Sequence, residues 1–240
     1  MSAAKRPAIE TSVVATGRGD DGTTGLLYGG PRIGKDDPRT EAYGTIDEAV
    51  AAMGLARAAL PARIGRSVDQ HGESEASRSE AGPAEAGHGD IGRADAAKLG
   101  DLILRFQREL FVAGAELATT PEAWARLEDG RTRVSEAMLD GVEAVLTDLE
   151  TRITMPTEFV VPGETPASAA LELARTILRR AERRATTLER EDLVPGPWLL
   201  PYLNRLADLL WVMARAAEAV ESAQARPSVE GGRRAARPTV

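Results

Sequence analysis

Arg175, Arg179, Glu182 and Thr186 recur at i, i+4, i+7 and i+11. On a helix they share one arc of about 60°. Leu171, Ala174, Ile177, Leu178, Ala181 and Ala185 fill the adjoining apolar arc, so Arg175 and Glu182 border the core, while Arg180 and Arg184 point elsewhere. Asn204, Asp208, Trp211 and Arg215 form a second stripe of the same spacing. Arginine in such a stripe suits a polyanion, because its planar fork stays charged and binds phosphate oxygens bidentately. The alternative is a pair of solvated helix faces, with intrahelical ion pairs worth about 0.3–0.5 kcal/mol each. Spacing alone leaves both open.

A glycine-rich stretch offers a second kind of anion chemistry. Gly17-Arg18-Gly19-Asp20-Asp21-Gly22 matches G-x-G-x-x-G, but a dinucleotide fold needs a helix opening there, and Thr23 through Gly30 is no helix start. Gly29 through Asp36 resembles a phosphate-binding Walker loop with Lys35 in place. There, Asp36 replaces the magnesium-binding hydroxyl and Pro31 removes an amide donor. Both nucleotide folds are rejected. Exposed amides, Thr23, Thr24 and Lys35 still make a loop that can cradle phosphates.

Other chemistries are narrowed by composition. The 240 residues contain no cysteine and two histidines, His71 and His88, both in a Gly/Ser/Glu/Ala-rich stretch. Thiol nucleophiles, iron–sulfur clusters and zinc ribbons are excluded, and a Ser–His–Asp triad or a three-histidine zinc site is not expected. Catalysis has to come from Arg, Lys, Asp, Glu and backbone groups. The net charge of −7 argues against a general nucleic-acid binder. No segment has the length of uncharged apolar sequence that a membrane span needs. Met1 to Pro7 lacks the apolar run of a secretory signal, so a cytoplasmic protein is expected.

The elements that position these residues read as helices. Apolar residues are 42% of the chain and aromatics only 4%, which favours an Ala/Leu-rich helical core. A structured loop over 11–40 is predicted to lead into a first helix near Thr45, where Thr45-Ile46-Asp47-Glu48 fits a capping box, ending at Pro61. Residues 64–95 are predicted to be a disordered insertion, their only large aliphatics being Val68 and Ile91. Further helices are predicted over 96–119 and 135–149. Phe159 to Gly163 reads as extended chain and a turn. Thr165-Pro166 then opens a fourth helix reaching about Arg190, and a fifth runs from Leu199 to Ser222 after Pro195-Gly196-Pro197. The fold class expected is all-α, a five-helix bundle forming one domain over 1–222, with a disordered tail over 223–240.

Three blocks, ATGRGDDGTTGLLYGG with GKDDPRTEAYGTIDE, FVVPGETPASAALELARTILRRAERR, and LPYLNRLADLLWVMAR, together resemble the PduO-type ATP:cob(I)alamin adenosyltransferases. With the second helix the resemblance covers roughly 12–62 and 97–220. It implies a homotrimer with active sites between subunits, transferring the 5′-deoxyadenosyl group of ATP to cob(I)alamin or a related corrinoid and releasing triphosphate. It implies ATP binding by Thr16, Gly17, Arg18, Gly19, Thr24, Gly25 and Lys35 of the loop, and by Arg179, Arg180, Glu182, Arg183 and Asn204. Asp47 and Arg175 match a pair that bridges subunits in the family, and with Arg179 they are the residues expected to carry catalysis. Phe159 matches the aromatic that displaces the lower axial ligand of cobalamin. Magnesium is expected on the ATP phosphates; a cobalamin reductase and an adenosylcobalamin-dependent enzyme are the implied protein partners. The chain departs from the family's usual residues at Gly17 (Lys or Arg), Glu164 (Gly) and Glu172 (His). The alternative is an escort protein that binds ATP and corrinoid and delivers adenosylcobalamin without being an efficient catalyst.

Overall fold

The computed structural model describes residues 12–60 and 88–225. Within them the chain forms five α-helices: α1 (Pro38–Ala59), α2 (His88–Leu117), α3 (Glu136–Arg152), α4 (Pro166–Glu189) and α5 (Leu199–Ala225). A short 3₁₀ helix spans Pro121–Arg126, and a two-residue antiparallel hairpin pairs β1 (Thr23–Thr24) with β2 (Ile33–Gly34). The all-α expectation holds, and the 3₁₀ helix and the hairpin are additions to it.

α5 packs against α2, α3 and α4, which explains its nearly all-round apolar sequence. Tyr202, Leu203, Leu206, Leu209, Leu210, Met213 and Ala217 are all fully buried. The most extensive helix–helix contact is α1 with α4. Both helices bury alanines seven residues apart, Ala42, Ala49 and Ala56 on α1 and Ala167, Ala174 and Ala181 on α4, each fully buried. That spacing keeps small side chains along one seam and lets two backbones approach closely.

Several boundaries differ from expectation. α1 begins at Pro38, not near Thr45. Asp37 is its N-cap, accepting from the Arg39 amide at 2.8 Å, and Pro38 takes the first helical position, where its missing N–H costs nothing. Thr45 lies inside the helix, buried, with its hydroxyl donating to the Glu41 carbonyl at 2.6 Å. α2 starts at His88, so residues 88–95 of the expected insertion are helical; His71 and the rest of that stretch fall outside the described residues. α5 continues to Ala225, three residues into the expected tail, whose remainder also lies outside them. The start of α4 agrees with expectation: Thr165 and Ser168 form a reciprocal capping box.

Candidate active site

The glycine-rich segment 12–37 folds into a hairpin loop clamped from within. Gly17 and Gly22 adopt positive φ angles of 64° and 79°, which a residue without Cβ accepts freely. Arg32 is the clamp: its Nε donates to Thr23 Oγ1 at 2.7 Å, and NH2 donates to the carbonyls of Arg18 and Thr23 at 2.7 and 2.9 Å. Asp21 accepts from both the amide and the hydroxyl of Thr23, and these bonds hold its carboxyl below the usual range. Lys35 donates its amide to the Gly22 carbonyl at 2.9 Å, and its side chain lies across Gly19, where an added Cβ would stand 2.9 Å from Nζ. A side chain at Gly19 would therefore displace the end of the lysine lying across it. Thr16, Arg18, Gly25 and the Lys35 side chain face solvent, and Thr24 is half-buried.

The loop is fastened to the bundle at three places. The Leu27 amide donates to the Ala118 carbonyl just beyond α2, at 2.9 Å. Arg126 donates to the Tyr28 carbonyl and sets its guanidinium 4.2 Å from the Tyr28 ring centroid, holding this residue at a left-handed φ of 67°. Arg39, buried at the start of α1, donates to the carbonyls of Leu117, Thr119 and Leu193. Its burial lowers the guanidinium's pKa, with Asp37 and Glu122 opposing.

The loop runs directly into the α1 end that meets the arginine-rich part of α4. Arg184 bonds the Glu41 carbonyl at 3.1 Å, pairs with the Glu41 carboxylate at 2.8 Å and contacts the Thr45 hydroxyl. Arg180 pairs with Glu48. Both turn toward α1 and away from the Arg175 stripe, and the helical spacing predicts only the second of these. Arg179 and Arg183 remain exposed, joined only by an Arg183 donation to the Arg179 carbonyl at 2.9 Å.

The two helices that carry the charged stripes meet at two polar contacts. Asn204 donates to Glu182 Oε1 at 3.0 Å, and Arg215 pairs with Glu172 at 3.4 Å, the two contacts being roughly 15 Å apart along α4. Asp208 departs from this face: it pairs with Arg205, which bridges to Glu143 of α3. A groove of about 410 Å³ there, lined by Glu143, Leu146, Thr147, Glu150, Arg205 and Asp208, contains none of the expected site residues. Arg175 pairs with Glu172 on its own helix at 2.6 Å. Asp47 is exposed on α1 and does not pair with Arg175 within the chain. Phe159 is fully exposed in the segment between α3 and α4, as is Val161 to 85%.

The sequence profile of the cobalamin adenosyltransferase family matches residues 14–217. The chain belongs to that family. Among curated cobalamin adenosyltransferase relatives, the corrinoid adenosyltransferase of Citrobacter freundii is 33% identical over 205 residues, covering 85% of this chain and 94% of its own. That of Mycobacterium leprae is 32% identical over 222 residues, covering 92% and 98%. Among solved structures, a variant PduO-type ATP:corrinoid adenosyltransferase from Lactobacillus reuteri complexed with ATP superposes with a TM-score of 0.65 at 25% identity, over 87% of this chain and 96% of that one. Another variant of that enzyme, complexed with cobalamin and ATP, gives the same TM-score and identity over 87% and 92%.

In this cobalamin adenosyltransferase, sequence reasoning missed Arg32 and Arg39, the arginines that fix the loop, and the buried Glu172–Arg215 pair. For Glu172 a signal existed: it stands one turn before Arg175 and directly after the core residue Leu171.

Proposed function

We propose that this chain transfers the 5′-deoxyadenosyl group of ATP to the cobalt of cob(I)alamin or a related corrinoid. The observation that carries this reading is the placement of the clamped glycine loop at the end of the bundle where α4 presents Arg179 and Arg183. Membership of the family supports the same reaction. Cobalt(I) supplies the electron pair for the new Co–C5′ bond, the C5′–O bond breaks, and triphosphate leaves with that bond's electrons. No protein nucleophile is required, which suits a chain without cysteine.

The protein's part is to hold and to compensate charge. Loop amides around Gly17, Gly19 and Gly25, with Thr16, Thr24, Arg18 and Lys35, bind the phosphates. Arg179 and Arg183 stabilise the charge growing on the departing triphosphate, while Glu182 and Asn204, already bonded to each other, hold the nucleoside end. Arg180 contributes through its pairing with Glu48 at the α1 seam. Magnesium would enter this site as a companion of the triphosphate, since it readily takes phosphate oxygens and water. When bound there, it neutralises phosphate charge. Phe159 supplies an exposed aromatic that excludes the lower cobalt ligand, making cobalt(II) easier for a reductase to reduce.

The homotrimer, with Asp47 of one subunit meeting Arg175 of the next, belongs to this proposal, as do the single domain over 1–222, a cytoplasmic location and delivery to an adenosylcobalamin-dependent enzyme. No helix among the described residues is long and apolar enough to cross a membrane. The decisive experiment mixes the protein anaerobically with ATP, magnesium and chemically reduced cob(I)alamin. Multiple turnovers to adenosylcobalamin and triphosphate establish the activity. Bound ATP and corrinoid without turnover would transfer the reading to the escort protein.

A further inference from the structure

Glu172 is a charged residue in an apolar setting. It retains 3% of its exposure, nearly two turns into α4. Its Oε2 accepts from Arg175 Nε at 2.6 Å, and its Oε1 faces Arg215 NH2 of α5 at 3.4 Å. Arg215, only 5% exposed in its side chain, also donates to Glu218 at 2.8 Å, and its guanidinium lies 5.6 Å from the Trp211 ring centroid. The carboxylate therefore has a fixed side, against α5, and a directing side, toward Arg175.

Arginine–carboxylate pairs are frequently bidentate, although Arg105–Glu109 and Arg133–Asp129 also bond through Nε alone. What sets Arg175 apart is that its Nε is held by a carboxylate that is itself buried and paired with Arg215 of α5. Here Nε alone is held, and the terminal nitrogens have no partner among the described residues. They are not among the buried unpaired atoms, in contrast to Nε and NH1 of Arg215, and the Arg175 side chain keeps 27% of its exposure. A guanidinium gripped by Nε loses its rotation yet keeps its phosphate- and carboxylate-binding fork free. We infer that Glu172 is a positioning residue, with Arg215 as its anchor, that fixes the direction in which Arg175 presents its two terminal amino groups. The inference rests on the adenosyltransferase reading for its catalytic consequence, and on the Glu172–Arg175–Arg215 geometry for its existence.

A buried charge pair can also be purely structural, and its loss would then act through stability. The test separates the two. The variants are Glu172→Met, Glu172→Gln, Glu172→Met with Arg215→Met, Arg175→Ala, and Glu172→Met with Arg175→Ala. Each is assayed for kcat, for KM with ATP and cob(I)alamin, and for thermal midpoint. The Met/Met variant removes both buried charges at similar volume and is expected to melt near the wild type. Its kcat is expected to remain lower by about 100-fold, the scale of a misaimed catalytic group, with KM for ATP changed little. Glu172→Gln, which keeps an acceptor oxygen for Nε, recovers part of the loss. Adding Glu172→Met to Arg175→Ala costs nothing more, since the two act as one unit. Recovery of kcat in the Met/Met variant, or additive losses with Arg175→Ala, would overturn the assignment.

A readout independent of turnover is the exchange of the Arg175 Nε–H with water, its resonance identified by loss in Arg175→Lys. Protection in the wild type that is lost in Glu172→Met supports the contact; free exchange in the wild type refutes it. A wild type that shows this protection but transfers no adenosyl group defeats the functional reading and the catalytic role of Glu172 together, and leaves the contact standing.

Discussion

Asn204 of α5 and Glu182 of α4 are joined by a 3.0 Å hydrogen bond from the side-chain amide to Oε1. This bond links the two helices at the level of the exposed arginines. Replacing Asn204 by Ala frees the Glu182 carboxylate and removes an amide from the nucleotide's surroundings. ATP affinity, measured by calorimetry, is expected to fall about tenfold, the scale of one hydrogen bond to a charged group. Glu182→Gln and Asn204→Ala should be non-additive in a double-mutant cycle; additive losses would mean that the bond is incidental.

Arg179 makes no side-chain ion pair among the described residues and is exposed. Arg179→Ala should therefore leave the thermal midpoint within experimental error while lowering kcat about 10²–10³-fold, the range for one charge-stabilising contact in a closed site. Wild-type turnover in this variant would remove Arg179 from the mechanism.

Arg39 has the opposite character. Three carbonyls, of Leu117, Thr119 and Leu193, depend on it in a buried site. Arg39→Ala strands them, and a loss of about 3 kcal/mol or more in urea unfolding is expected. Proteolysis within 12–37 should accelerate in the same variant, because the start of α1 carries the loop. An unchanged unfolding midpoint would contradict this.

Glu116 gives the fold a pH dependence. It is fully buried at the end of α2, bonded through Oε2 to the Val134 amide at 2.7 Å. Burial pushes its pKa up to about 7, against that bond and the nearby Arg133. A carboxyl whose folded pKa exceeds its unfolded value of 4.5 binds its proton more tightly when folded. Stability is thus greatest below about pH 4.5 for this group, falls as pH rises toward 7, and is level above it. The total change is on the order of 3 kcal/mol. Melting curves from pH 5 to 8 for the wild type and Glu116→Gln should converge in slope only above pH 7; parallel curves throughout would show that the group titrates normally.

What could be read in advance depended on how local each signal was. Thr165-Pro166 and Pro195-Gly196-Pro197 punctuate the chain within a few residues, so the openings of α4 and α5 were legible, along with the stripes they carry. The start of α1 was not. Thr45 and Glu48 satisfy a capping pattern while sitting inside the helix, where their side chains instead meet Arg184 and Arg180 from α4. Only tertiary contact distinguishes those cases. Arg39 was opaque for the same reason: in the charged run Asp36-Asp37-Pro38-Arg39-Thr40-Glu41 it reads as surface until its carbonyl partners arrive from other elements.

The alanines spaced seven apart on α1 and α4 bind nothing, yet all six are buried in the two helices that meet most extensively, the one bearing the loop and the one bearing the arginines. Small side chains there permit a close approach of backbones, and with it a short span across the site. Grafting the loop and the arginines onto another helical bundle would reproduce the chemistry's inventory without its spacing. To move this site elsewhere is to move the seam as well.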